Sequence, residues 1–590
     1  MKKLNVLYIV IASLLFLYTL VRAYCVPPYF DELFSFFTYI QTGNFIPYAA
    51  HTNANNHVLN SFLSYLFTSA FGENFFFVRL ASTLSIVIFM AYLWKLRQFI
   101  GSKYVSFILF IVLITSTYLT DFFILSRGYG ISMAFLVAAS FHLINYSHTG
   151  NRKEIYYTLF FSIVALWSNL SLVVPALVIW GMVFIVYLQN NKPATFKEPM
   201  LALYKPYTVF FIPLLLGILY SFKLKSSGSL YFGSDGGLID AVFVKLSAEI
   251  AGSYFYGRIM LVLLTIIYTV SILLNIIGKQ LKNANLLVQT LFWGTIVGYL
   301  LMHNILGVKY PQERAALQIY VLFIISLFFA IDNIRPNYLK YLFPLPTLMV
   351  TIQFIWLFNF THIQHWKNQT VPYAFYQKIY GWQQQNNNIK PTIAGHGLLG
   401  KVLDYYDYKN GGLLNSTKDD TSPSKIADFI ITNDWNSNIQ NYDTLIYVKE
   451  TSVCLLARKE PTAWEPFLNE TAKDTVIQGN FYTMLEIPAK ELVNQPVSVD
   501  VSFNIQSDNY PFLGFLVCSA TTADNEKVAY TDVNLQTVKS DIRVRNTIHR
   551  RLFFEAIPAN AEKLDIYLWV LKNKKGVTLS NVEIKLQKSV

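Results

Sequence analysis

Long apolar runs fill the first 360 residues, and they leave this chain few ways to fold. A bilayer core offers no hydrogen-bond partners, so each run must satisfy its own backbone as a helix. Runs near the length needed to cross recur at 4–22, 76–95, 104–120, 129–147, 155–169, 171–189, 204–222, 258–278, 286–305, 314–332 and 341–360. At roughly 20 residues per crossing they predict about eleven spans. Only "WSNLSLVV" (167–174) separates the fifth from the sixth. Lys2 and Lys3 precede the first run as in a signal peptide, but Arg22 before "AYCVPP" makes a poor cleavage site and Tyr24 spoils a lipoprotein site. The first span therefore reads as uncleaved.

Charge then orients the spans. Only 14% of residues are charged, against about 25% in a soluble domain. The 47 basic and 35 acidic residues leave a net charge of +12, and much of the excess lies between spans. With the N-terminus in the cytoplasm, the inner loops hold Lys95, Arg97 and Lys103; Arg152 and Lys153; Lys192, Lys197 and Lys205; Lys279 and Lys282; and Arg335 and Lys340. This alternation obeys the positive-inside rule, so the surplus needs no nucleic-acid partner. The C-terminus then lies outside the cytoplasmic membrane. The three cysteines, Cys25, Cys454 and Cys518, form no CxxC and indicate neither a zinc site nor a disulfide framework.

The same register collects Asp31, Glu32, Asp121, Arg127, Lys309, Glu313 and Arg314 on the outer face. The acidic pair stands in "PPYFDELFSF" (27–36), just after the first span. Pro27 and Pro28 make a rigid entry, and the two acids fall at the start of a helix-like "DELFSFFTYIQ" (31–41), where negative charge is favoured. A second helix-like stretch, "NHVLNSFLSYLFTSAFG" (56–72), is too short and aromatic for a span. Both read as helices in the membrane interface. Helix capping alone accounts for the acids, whose side chains diverge by about 100°. The cations on the same face point further, because ionisable groups at membrane depth usually border a functional cavity. Arg127 in "LSRGYG" (125–130) opens the fourth span, and Lys309 and Arg314 in "GVKYPQER" (307–314) open the tenth.

These residues resemble those of the membrane-embedded GT-C glycosyltransferases, in particular the branch of the protein O-mannosyltransferases and aminoarabinose (lipid A) transferases. The resemblance rests on "FDE" after the first span, "NNHVLNSFL" (55–63) followed by "FFFVRLAS" (75–82), "SRGYG" at the fourth span and "VKYPQER" before a late one. It covers about the first 330 residues. It implies a polyprenyl-phosphate sugar donor and inverting transfer at the outer face to a glycan, lipid or protein hydroxyl. Asp31 would be the catalytic base and Glu32 would position acceptor or base. Arg127, Lys309 and Arg314 would hold the donor phosphate. No metal or other cofactor is implied, and the first loop holds no DxD, unlike the metal-dependent oligosaccharyltransferase branch. Asn56, His57, Tyr129 and His303 are candidate substrate contacts, Arg79 reads as an anchor of the second span, and Glu313 as a partner for a nearby base. The loop 223–257, which begins "KLKSSGSLYFGSDGGLID", has the Gly and Ser content of a mobile lid.

The fold class expected is a polytopic α-helical membrane domain, GT-C-like, over 1–360, a linker and small extracytoplasmic α/β element over 361–460, and a jelly-roll-like β-sandwich over 461–590. "PTIAGHG", "ADFIITND" and "DTLIYVKE" read as short strands around a helical "LLGKVLDYYDY". The glycines of "AGHGLLG" (394–400) invite a nucleotide-loop reading, but a nucleotide loop does not suit that compartment. "VSVDVSFNI" (497–505), "PFLGFLVCSA" (511–520) and "KLDIYLWVL" (563–571) alternate as strands. Trp464, Trp569 and nearby tyrosines suit a sugar platform, although "IYLWVL" reads first as a core strand. Two other functional classes fit the spans. A lipid-linked sugar transporter or flippase needs no acid poised as a base, and the span pattern shows no inverted repeat. A non-catalytic scaffold needs no acid pair. Within the enzyme class, an envelope polysaccharide polymerase or ligase is the alternative.

Overall fold

The computed structural model describes residues 2–193, 195, 197–230, 232–278, 283–335, 337–420, 422–433, 439–509, 512–539, 541–571 and 573–589. Lys279 and Lys282, expected in an inner loop, lie outside these residues. The chain forms two compact units. One is Met1–Val26 with Phe45–His365, and the other is Pro27–Asn44 with Trp366–Val590.

The first unit is helical. Nine helices among its described residues are long and apolar enough to cross a bilayer: Leu4–Cys25, Phe75–Phe99, Gly128–Thr149, Leu170–Asn191, Lys197–Ser226, Tyr254–Ile277, Asn283–Leu306, Glu313–Asp332 and Leu339–Trp356. The other two expected spans are shorter helices, Lys103–Ile114 and Lys153–Ser168. The first of these is interrupted by Thr115 and Ser116 before a short helix, Thr117–Asp121, where hydroxyls break the apolar run. The second stops at Ser168, and Asn169 bends the chain through the turn Leu170–Leu172 into Val173–Asn191. The interface stretch 56–72 is the helix Val58–Phe71, closed by Gly72 at φ +90°.

Small residues set how closely these helices pack. Gly294 and Gly298 sit one turn apart on Asn283–Leu306, and a Cβ on them would lie 3.0 Å from Val178 Cγ1 and 2.4 Å from Val174 Cγ1. This small-xxx-small spacing brings two backbones together where van der Waals contact drives association. Buried charges find polar partners, on side chains or on the backbone. Arg22 donates to Asp121 at 2.6 Å and to the His362 carbonyl at 2.5 Å, while the other Asp121 oxygen accepts the Gln364 N–H at 2.7 Å. Asp121, one of the acids expected on the outer face, is therefore committed to a structural pair. Arg79 is buried and donates to the carbonyls of Ala23 and Val26, which fits its reading as an anchor.

The second unit takes up the acidic pair. Phe30–Ser35 is helical and continues as a π-helical turn, Phe36–Ile40. Phe36 and Phe37 pack against Tyr405, Phe37 also meets Tyr408, and Gln41 donates to the Tyr408 hydroxyl at 2.7 Å. Tyr29 bonds Thr370 at 2.9 Å. Residues 27–44 thus share a core with sequence more than 300 positions away.

The strands of this unit are β1 Ile393–His396, β2 Lys418–Asp420, β3 Phe429–Thr432, β4 Tyr442–Val448, β5 Val453–Arg458, β6 Trp464–Ala472, β7 Thr475–Ile477, β8 Phe481–Pro488, β9 Val497–Gln506, β10 Gly514–Thr521, β11 Lys527–Asn534, β12 Asn546–Phe554, β13 Lys563–Val570 and β14 Val577–Ser589. The first five form a sheet of order β2-β1-β3-β5-β4, with β1 parallel to β2 and β3. The helix Gly400–Lys409 connects β1 to β2, as expected for an α/β element. Gly395, Gly397 and Gly400 carry a G-x-G-x-x-G spacing, and they follow a strand and open a helix. The site is nonetheless filled: Asp419 Oδ1 accepts the Gly400 N–H at 2.9 Å, and a Cβ on Gly395 would lie 2.3 Å from that oxygen. The protein's own carboxylate occupies the helix N-terminus where a phosphate would bind.

The remaining strands form two antiparallel sheets, β11-β10-β13-β8 and β12-β9-β14-β6, with β7 on β14. Val499, Phe503, Leu516, Ile566 and Ile584 from both sheets fill one core, as in a β-sandwich. Alternation along β13 sends Leu564, Ile566, Leu568 and Val570 inward, so Trp569 faces away from that core beside Phe481 and Phe515. The expected core strand is present, but its tryptophan is on the other face.

Candidate active site

A cavity of about 190 Å³ with charged and polar side chains in a largely apolar wall opens within the helical unit. Arg127, Lys309 and Arg314 line it, together with Asn55, Asn56, His57 and Tyr129. Every expected cation, and three of the four expected substrate contacts, thus meet in one place.

Local backbone demands explain the meeting. "SRGYG" places Arg127 at the cap of Gly128–Thr149. A Cβ on Gly128 would lie 1.7 Å from the Ser168 carbonyl oxygen and 2.9 Å from His57 Nδ1. Glycine alone permits that approach, and it sets Arg127, Ser168 and His57 side by side. Arg127 is 1% exposed, and its Nη2 donates to Asn55 Oδ1 at 2.9 Å. His57 Nδ1 lies 3.0 Å from the Ser168 carbonyl, which requires the proton on Nδ1 and leaves Nε2 an acceptor. Burial first, then the nearby Arg127 guanidinium, hold the imidazole well below the usual histidine range. The ring therefore stays neutral. Tyr129 meets it edge-on at 4.9 Å.

The late loop supplies the other two cations. Ser234 and Tyr310 exchange backbone hydrogen bonds of 3.1 and 2.9 Å, pinning the expected lid loop to the segment that carries Lys309. Phe232 of that loop lines the cavity and lies under the Arg314 guanidinium at 4.2 Å. Lys309 is 3.5 Å from Asp235, but both are substantially exposed, so solvent screens this pair. Glu313 lies 3.9 Å from Arg314 and 3.9 Å from His365, in line with its expected pairing.

His303 does not reach the cavity. Its Nδ1 is 3.0 Å from the Val308 carbonyl and its ring stacks on Tyr310 at 4.1 Å, so it shapes the loop. Asn56 lines the cavity, yet its amide is engaged by the Phe45 carbonyl at 3.0 Å and the Ser61 hydroxyl at 3.2 Å. Asp31 and Glu32 belong to the second unit. Asp31 is half-buried. Glu32 is fully buried, and its Oε2 accepts the Tyr29 N–H at 3.2 Å, so it closes its own helix start. Capping, one reading of the pair, therefore holds for Glu32.

Asn169, Ser171, Trp167 and Tyr299 also line the cavity and were not anticipated. The signal was the polar "SN" between two apolar runs, which reads as a turn and nothing more. Tyr299 donates to the Ser171 carbonyl at 2.8 Å and accepts from Gln318 at 2.6 Å, fixing that turn from another helix. A second cavity of about 660 Å³ is lined by Leu246, Met260, Leu264, Phe292, Phe323 and other apolar side chains.

Fold and site together define a polytopic helical membrane protein with a cavity lined by three cations and a β-rich C-terminal unit. No protein-family model and no curated protein matches the sequence. Among solved structures, the chain is similar to ArnT from Cupriavidus metallidurans bound to undecaprenyl phosphate, at 9% identity and TM-score 0.43 over 77% of this chain and 97% of that one. It is also similar to the arabinosyltransferase EmbB from Mycobacterium smegmatis (10%, TM-score 0.37, 98% and 64%) and to the mycobacterial arabinofuranosyltransferase AftD (9%, TM-score 0.40, 98% and 61%). At these scores the likeness assigns no residue a role.

Proposed function

We propose that this protein is an inverting glycosyltransferase that moves a sugar from a polyprenyl-phosphate donor to an acceptor hydroxyl at the outer face of the cytoplasmic membrane. The observation that carries the reading is the convergence of Arg127, Lys309 and Arg314 on one cavity inside a bundle of apolar helices. Arg127 is buried there and Arg314 partly so, and charge placed inside an apolar bundle is costly and suits an anionic ligand. A lipid-borne phosphate is the anion such a place would meet, and the 660 Å³ apolar cavity has the lining an alkyl or prenyl chain requires.

In this reading Asp31 takes the acceptor proton as the acceptor oxygen attacks the anomeric carbon. The bond from that carbon to the phosphate oxygen breaks, and the polyprenyl phosphate leaves with one more negative charge. A single displacement inverts the anomeric centre. The three cations stabilise the charge that develops on the leaving group, the buried Arg127 most strongly. Glu32, engaged at its own helix start, holds the Asp31 segment in place. Mass spectrometry of envelope glycans, glycolipids and glycoproteins from cells with and without the protein tests the reading. One sugar modification should vanish in its absence; an unchanged envelope profile would oppose the assignment.

The same reading places residues 361–590 outside the membrane. Leu413 is exposed, so Leu413→Cys in a Cys25→Ser background should react with an impermeant thiol reagent in intact cells. Burial pushes the Cys454 thiol up to about 11 and raises that of Cys518 as well, so neither competes for label. Labelling only after lysis would reverse the orientation.

A further inference from the structure

The turn between Lys153–Ser168 and Val173–Asn191 holds polar atoms that nothing in the fold uses. Asn169 lines the cavity and is 6% exposed, and its Oδ1 accepts the Ser171 N–H at 3.1 Å, which leaves the amide Nδ2 buried without a protein partner. Ser171 Oγ is likewise buried and unpartnered, and so is Nε2 of His57, itself 6% exposed. Buried polar atoms without partners are uncommon in native proteins and ask for an explanation. Here they form a set: Asn169 Nδ2 donates, neutral His57 Nε2 accepts, and Ser171 Oγ can do either. A sugar hydroxyl is itself both donor and acceptor, and this trio is complementary to it. A phosphate, which only accepts, is not matched by His57 Nε2.

Charge narrows the choice. Among the described residues that line the cavity there are three cations and no carboxylate. Asp235 and Glu313 offset Lys309 and Arg314 from outside the lining, so a protonated amino sugar would meet cations and no carboxylate in the cavity wall itself. We infer that Asn169, Ser171 and His57 read the hydroxyls of the donor's sugar, and that this sugar is uncharged, a hydroxylated pyranose or furanose without a free amino group. The inference rests on the proposed donor-phosphate role of the same cavity and adds the class of sugar.

The test is binding in nanodiscs, with three probes: bare undecaprenyl phosphate, undecaprenyl-phosphate hexose and an undecaprenyl-phosphate 4-amino-pentose. The wild-type protein should prefer the hexose lipid to both others. Asn169→Ala and Ser171→Ala should each lose about tenfold in hexose-lipid affinity, the usual order for one unmade hydrogen bond, with bare undecaprenyl phosphate unaffected. Asn169→Asp keeps the oxygen that caps Ser171 and replaces the donor by a carboxylate. It should fold as the wild type does, bind the hexose lipid more weakly and gain affinity for the amino-sugar lipid. Equal loss of bare-lipid affinity in the Ala variants, or a wild-type preference for the amino sugar, would overturn the inference. Failure of the wild type to bind bare undecaprenyl phosphate would overturn the phosphate role beneath it, an outcome readable separately from the variants.

Discussion

Asp31→Asn is expected to cut sugar transfer by about 10²- to 10⁴-fold, the usual contribution of a positioned general base, while donor binding stays at the wild-type level. The substitution keeps the shape of the side chain and removes its basicity. The helix start is closed by Glu32, which accepts the Tyr29 N–H, so the local fold should persist. Glu32→Gln provides the contrast. A Gln oxygen can accept the same Tyr29 N–H, so the fold and most of the activity should persist. Rates measured on purified protein with a polyprenyl-phosphate sugar decide the matter. Wild-type turnover by Asp31→Asn would mean that the acidic pair serves only its helix.

The second large effect belongs to the cations. Arg127→Ala or Lys309→Ala should weaken donor binding and slow transfer together. The donor phosphate is charged before reaction and more so as it leaves, so each contact acts on both states. Loss of one donor to a developing oxyanion commonly costs about 10²- to 10³-fold in rate. Charge reversal to Glu should be worse than Ala, because repulsion is added to the lost hydrogen bonds. Arg79→Ala separates recognition from structure. Arg79 donates to the Ala23 and Val26 carbonyls, so its loss should lower thermal stability by about 1–3 kcal/mol and leave donor affinity in the surviving fold nearly unchanged. Calorimetry and binding on the same preparations distinguish the two. Normal donor binding by both Arg127→Ala and Lys309→Ala would move the site elsewhere and favour the transporter reading.

Much of this was legible in the sequence, for identifiable reasons. Apolar run length gives helices directly, and the helix Val58–Phe71 and the strands β9 and β13 followed from periodicity. Arg127, Lys309 and Arg314 stood out because charge at membrane depth is rare. Asn169 and Ser171 did not, since polar residues between two apolar runs are ordinary turn formers; only the Gly128 approach to Ser168 reveals that this turn borders a cavity. The packing of residues 27–44 with Tyr405 and Tyr408 is a contact across more than 360 positions, and no local pattern reports it. His303 looked available because sequence distance to Lys309 is short, yet the loop turns it onto Tyr310. Gly395, Gly397 and Gly400 carried a phosphate-loop spacing whose meaning depended on Asp419, a residue that lies on another strand in the fold.

Release of free polyprenyl phosphate by the purified protein tests the central claim most directly. With an undecaprenyl-phosphate sugar and an envelope extract as acceptor, the wild-type protein should convert the donor lipid to undecaprenyl phosphate and label an acceptor in equal amount, and Asp31→Asn should do neither while still binding the donor. Donor that crosses a proteoliposome membrane intact, with no undecaprenyl phosphate formed and no acceptor labelled, would contradict the account.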